Sequence, residues 1–279
     1  MDSFKILALG GGGSKGFLHL GALEELEERL GPLDKHFVDG VYGCSVGSII
    51  ATLLAFGIPV AKIREIFMKN FSFSDLYKTF DMTKIDEILK GKGIFDHKLF
   101  EKKLIDSFNS IGIPIEKKVM SDALIPLRIQ ASNITKGVST IFRGKIPVLK
   151  AIMSSCAIPF VFRPVQINDS LYVDGGFLTN VLTTTIPLEE QERTLSLSII
   201  HSDPRISPSK LKSMNPVEFL YKMYKTSCLY ERCKHPYKNT VNLHFEKGSG
   251  FSVFTDSELI EMISFGRTLF RDFCTKNAY

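Results

Sequence analysis

Cysteine is scarce in this sequence: there are five in 279 residues (Cys44, Cys156, Cys228, Cys233 and Cys274), odd in number and widely scattered. That excludes a disulfide framework and predicts a reducing compartment, hence a cytoplasmic location. A secretory signal is missing too. Asp2 stands where a positive n-region belongs, and the apolar run over residues 4–9 is short and broken by Lys5. Repeats and low-complexity linkers are absent. Charged residues make up 23% against 44% apolar, which excludes wholesale disorder, collagen and coiled coil. Charge is absent from the 22 residues 40–61, a transmembrane length. Gly40, Gly43, Gly47, Gly57 and Pro59, together with Ser45, Ser48 and Thr52, interrupt that stretch. They predict a buried strand, a sharp turn and a buried helix instead of a membrane span.

The pattern of what is present alternates strand and helix. Residues 4–9 read as a buried strand, 10–13 as a turn, and 15–30 as a helix with Leu20, Leu23, Leu26 and Leu30 near helical spacing, stopped by Gly31-Pro32. A second strand over 37–42 and a fully buried helix over 48–56 follow. This alternation predicts an α/β fold with a mostly parallel sheet covered on both faces. Residues 60–118 read as mostly helical and more polar. Strands follow at 125–132, 137–142, 163–167, 171–173, 195–200 and 240–245, with helices near 147–155, 216–230 and 256–274. Residues 202–215, rich in Ser and Pro, read as disordered. The expected organisation is a core over 4–188, with 189–279 adding strands and helices to the same domain.

Three motifs carry chemistry. The first, Gly11-Gly12-Gly13-Ser14-Lys15-Gly16, lies between a strand and a helix. Its glycines can leave backbone N–H groups exposed at a helix start, which is an anion site suited to a pyrophosphate or to an oxyanion. The second, Gly43-Cys44-Ser45-Val46-Gly47, sits in the strand–turn–helix context that G-x-S-x-G needs to hold a serine on an exposed elbow. The third, Asp174-Gly175-Gly176, ends a strand with a carboxylate beside glycines that permit close approach. An oxyanion loop, an elbow serine and a carboxylate are the minimum parts for nucleophilic acyl transfer. An aspartate in water is a weak base, with a pKa near ~3.9, so such a site must be partly dry.

In that order the motifs resemble the patatin-like phospholipase family. The resemblance extends through Ser154-Ser155-Cys156-Ala157-Ile158-Pro159-Phe160-Val161-Phe162-Arg163-Pro164-Val165 and covers residues 4–180. It implies a lipid acyl hydrolase on a three-layer α/β/α fold. Ser45 would be the nucleophile and Asp174 the base, with the loop from Gly11 to Gly16 as oxyanion hole. Lys15 stands where many members carry Arg, and Leu182 where a proline is expected. The implied substrate is a phospholipid or another acyl-lipid, with no cofactor, no metal and no nucleic-acid partner.

Two other chemistries are open to these residues. His201 would complete the order Ser45, Asp174, His201 of a Ser–His–Asp esterase. Gly11 to Gly16 with Asp39, placed at the end of the second strand, would suit a dinucleotide-dependent oxidoreductase. His19 reads as packed, and Cys228, Cys233, His235 and His244 fit no standard zinc spacing. Net charge is +5, yet residues 205–247 alone hold nine Lys/Arg against three acids, interleaved with tyrosines. That stretch predicts reversible contact with an anionic membrane surface.

Overall fold

The computed structural model describes residues 1–71, 93, 97–179, 182–200, 207–212, 214, 219, 222, 223, 226, 239–248, 250 and 252–279. Eight strands join in one sheet: β1 (Ile6–Leu9), β2 (Gly40–Cys44), β3 (Leu127–Asn133), β4 (Val138–Phe142), β5 (Val165–Ile167), β6 (Ser170–Asp174), β7 (Thr194–Ile200) and β8 (Thr240–His244). The run β8–β7–β1–β2–β3 is parallel throughout, and β4, β5 and β6 add antiparallel pairs. The longer helices are α1 (Phe17–Leu30), α2 (Val46–Ala55), α3 (Val60–Asn70), α4 (His97–Asn109), α5 (Val148–Ser155) and α6 (Asp256–Lys276). This is an α/β fold with a mostly parallel central sheet.

β1 is buried on both faces, which is why it reads as a continuous apolar run. Leu7, Leu9 and Val41 face the main core with α1 and α2. Ile6, Ala8, Tyr42 and Cys44 face the other way, against Leu182 and Ile186. That second face is covered by the short helical turns Leu182–Thr185 and Leu188–Gln191. α2 is buried nearly all round because it packs beneath the sheet; Gly47 admits the Leu9 carbonyl where any Cβ would overlap it.

β3 decides what meets what. β4 pairs with it over Ile129–Asn133 and so occupies most of one edge. The opposite edge is shared. β2 runs parallel along it and ends with Cys44 opposite Gln130, and β6 runs antiparallel and ends with Asp174 opposite Ala131. Two strands of opposite direction thus abut at their C-terminal ends, one register step apart.

β2 differs from its sequence-based bounds: it spans Gly40–Cys44, not 37–42. Phe37 is buried but closes the single turn Leu33–His36, so burial and not pairing explains its apolar character. The hairpin β5–β6 turns at Asn168-Asp169, with Asn168 at φ 51°. α6 opens with a capping box, Thr255 Oγ1 accepting from the Glu258 N–H and the Glu258 carboxylate from the Thr255 N–H. It lies across α1, where Gly21 and Gly266 each admit a backbone carbonyl of the other helix (Ile263 and Leu18) in place of a Cβ. Glu25 is buried there among Arg29, Arg267 and Arg271, and hydrogen bonding to Arg271 holds its carboxyl below the usual range. Half of residues 202–215 and most of residues 216–230 lie outside the described residues, and Pro208–Leu211 forms a helical turn.

Candidate active site

Ser45 is the residue between β2 and α2, at φ 52° and ψ −128°. For a residue with a side chain this backbone costs about 1–3 kcal/mol, so its neighbours must hold it. They do so from both sides. The Ser45 N–H donates to Ser155 Oγ at 2.8 Å, and Ser155 Oγ donates in turn to the Gln130 carbonyl at 2.6 Å. The Ser45 carbonyl accepts from the Ser48 N–H at 2.8 Å and from Ser48 Oγ at 2.6 Å. Gly43 leaves room for this turn, since a Cβ there would stand 2.5 Å from Ser48 Cα.

The Gly-rich loop leaves the end of β1 beside this elbow. A Cβ on Gly11 would stand 3.1 Å from Ser45 Cβ. Gly12 abuts the Ile199 side chain, and Val46 of the elbow fills the space a Cβ on Gly16 would need. Gly13 is at φ 58°, the left-handed region, and its missing Cβ makes way for the Gly250 carbonyl. The Ser14 N–H donates to that same carbonyl at 2.8 Å, and the Lys15 N–H to the Gly12 carbonyl at 3.2 Å. Among the described residues, the backbone N–H groups of Gly11, Gly12 and Gly13 make no such bond.

Asp174 ends β6 and is buried. Its Oδ1 accepts the Gly176 N–H at 2.8 Å, and its own N–H donates to the Ala157 carbonyl at 2.8 Å. Gly175 packs so closely that a Cβ would lie 2.5 Å from the Gln130 carbonyl oxygen and 2.8 Å from Cys44 Sγ. Burial first, then the charge of Asp174, pushes the Cys156 thiol well above the ordinary range. Cys156 lines the same pocket as Ser45. The pocket is mostly apolar: Phe17, Phe67, Phe71, Phe100 and Phe162 form much of its wall, Asn70 and Lys103 also border it, and Ser45 lies at its lining with Ser14 and Gly13.

Two ionisable groups brace the loop from behind. His19 is fully buried, and because a carbonyl only accepts, its Nε2 must donate to the Gly10 oxygen at 2.8 Å. Burial lowers its pKa to about 4, so the ring is neutral. Lys15 is also fully buried; its Nζ donates to the Phe245 carbonyl at 2.6 Å, and desolvation lowers its pKa to about 8.

The three motifs therefore converge, whereas Asp39 stands apart. It precedes β2 instead of ending it, and it pairs with Arg193. β1 and β2 start together, Ile6 opposite Gly40, so Asp39 lies a strand's length, roughly 13 Å, from the Gly-rich loop and cannot hold a ribose bound there. His201, Cys228, Cys233 and His235 lie outside the described residues, as does most of the basic stretch 205–247. Among the described residues no cluster could hold a metal ion. Ser155, Gln130, Ile199, Phe245 and Gly250 support the site without any motif to mark them. Ser155 alone was visible, inside the stretch that resembles a family segment.

The patatin-like phospholipase family model matches residues 7–186. A cUMP-AMP-activated phospholipase of Escherichia coli is 32% identical over 214 residues, 72% of this chain and 62% of that protein. The chain thus spans less than two thirds of that relative's length. An intracellular phospholipase A2 of Caenorhabditis elegans is 25% identical over 205 residues, 71% of this chain and 18% of the relative. Among solved structures, VipD from Legionella pneumophila superposes with a TM-score of 0.58 at 17% identity, covering 98% of this chain and 67% of that one.

Proposed function

The chain belongs to the patatin-like phospholipase family, and on that premise we propose that it hydrolyses acyl-lipid esters through Ser45 and Asp174, with the Gly-rich loop as oxyanion hole. The observation that supports this reading is the meeting of β2 and β6 on one edge of β3, where the strand before Ser45 and the strand of Asp174 end at consecutive register positions, with Ser45 at the lining of a phenylalanine-walled pocket. The phenylalanine wall suits an acyl chain, which would dry the site and strengthen Asp174 as a base.

In the first step Ser45 Oγ attacks the ester carbonyl while its proton passes to Asp174. The C–O bond forms, and the carbonyl oxygen takes the charge. N–H groups of Gly11, Gly12 and Gly13, uncommitted among the described residues, are the donors for it; each such donor is worth on the order of 3 kcal/mol. Collapse expels the alcohol, which takes the proton from Asp174. Water then repeats the sequence on the acyl-serine, giving up its proton to Asp174 and releasing the fatty acid. Burial, with the charge of Asp174 added to it, keeps the Cys156 thiol protonated, so that thiol is no rival nucleophile.

The proposed setting is the cytoplasmic face of a membrane. No helix among the described residues is long and apolar enough to cross a bilayer. The basic residues of 205–247, by their composition, supply a reversible contact with anionic lipid. The test is a fluorophosphonate probe followed by mapping of the adduct, alongside hydrolysis of phospholipid in vesicles with and without anionic lipid. Label on Ser45, lost with activity in Ser45→Ala, supports the reading. Label on another residue, or activity retained in that variant, overturns it.

A further inference from the structure

The Gly-rich loop is held by chain that lies beyond the 7–186 family match. Three contacts converge on it from just after β8. The Ser14 N–H donates to the Gly250 carbonyl at 2.8 Å. Gly13 meets that same carbonyl where any side chain would collide. Lys15 sends its ammonium, 230 positions along the chain, to the Phe245 carbonyl at 2.6 Å. We propose that the chain through Phe245 and Gly250 is the element that positions the N–H donors of Gly11, Gly12 and Gly13, with Lys15 as the positioning residue that ties them to it. In catalysis, Lys15 then acts through the loop and does not touch the substrate.

A buried cation is costly unless it is bonded, and an apolar side chain would fill the same space more cheaply. Lys15 is 0% exposed, and among the described residues no carboxylate pairs with it. What compensates its burial is the single carbonyl it reaches. That carbonyl is itself anchored: the Phe245 ring is buried and packs edge-on against Phe254 and against Phe265 of α6. α6 lies on α1, the helix that the Gly-rich loop begins. The loop, the chain after β8, α6 and α1 thus form a closed ring of contacts. A slack loop would leave the donors misplaced, and a displacement on the order of 1 Å near a reacting centre can cost ~100-fold in rate.

The experiment compares wild type, Lys15→Met and Lys15→Arg by amide hydrogen exchange and by turnover of a soluble short-chain ester. Met keeps the stem's bulk without the donor, and Arg keeps a charged donor. In Lys15→Met the Ser14 amide should exchange at least ~10-fold faster while β1 and α2 amides keep their protection. Its kcat should fall ~10–100-fold with KM nearly unchanged, and Lys15→Arg should recover most of both. Wild-type exchange and kcat in Lys15→Met, or protection lost evenly across the whole fold, would overturn the proposal. Should Lys15→Met not fold, wild type alone decides: a Ser14 amide exchanging as freely as an exposed loop overturns the tie to Gly250. The rate arm rests on the hydrolase reading, but the exchange arm does not. A wild type with no Ser45-dependent cleavage therefore sinks that reading and leaves the positioning question to exchange.

Discussion

Asp174 and Cys44 end their strands on the same edge of β3, opposite the consecutive residues Ala131 and Gln130. Because β2 is parallel to β3 and β6 antiparallel, both strands end at the same point, with Ser45 next in the chain after Cys44. A slip of one residue in either pairing would turn the carboxylate or the elbow to the other face of the sheet.

Asp174→Asn should therefore be a clean test of Asp174 as the proposed base. The amide keeps an oxygen for the Gly176 N–H, so unfolding stability should change little. Hydrolysis should fall at least ~100-fold, the loss expected when a positioned proton acceptor is removed. Asp174→Ala should lose activity equally and stability as well, because the Gly176 N–H is then left unbonded. Denaturant midpoints set beside rates for the two variants separate the roles. An active Asp174→Asn would remove Asp174 as the base.

Gly11→Ala places its methyl 3.1 Å from Ser45 Cβ, a contact that closes only if one of them shifts by a few tenths of an ångström. The fold should survive and kcat should fall ~10–100-fold if Ser45 and the loop act together as proposed, since the two move apart. Melting temperature and steady-state rates check this together; a variant with unchanged kcat would show that the loop's approach to Ser45 has no catalytic consequence.

His19 predicts an acid-side loss of stability. Its folded pKa is about 4, below the reference value near 6.5, so between those values the unfolded chain binds the extra proton. Stability from this group is complete above about pH 6.5 and declines as pH falls toward 4, by about 3 kcal/mol in all. Urea midpoints across that window read the slope. His19→Gln, which keeps a donor for the Gly10 carbonyl, should flatten it.

Gly266→Ala should destabilise by about 1–3 kcal/mol or more, because the new methyl would overlap the backbone carbonyl of Leu18, which cannot rotate away. Gly21→Ala should do the same against Ile263. Chemical denaturation measures both, and a neutral result would mean that α1 and α6 can part without loss.

The motifs of the candidate site were legible in the sequence because their signals are local. Gly43 and Gly47 around Ser45, the glycines from Gly11 to Gly16, and Asp174 before Gly175 and Gly176 each describe a turn whose geometry depends on residues a few positions away. Strand and helix alternation likewise predicted a parallel α/β sheet, because apolar periodicity is set by which face is buried. Only the tertiary structure decided the rest, and for one reason: it depends on register and packing between residues far apart in the chain. Phe37 reads as strand by composition but lies outside every strand of the described residues, and Asp39 reads as a strand end but precedes one. Lys15 belongs to the loop motif by position, yet its side chain points to Phe245. No spacing rule announces that Gly13 needs Gly250, or that β6 takes up the edge of β3 where β2 stops.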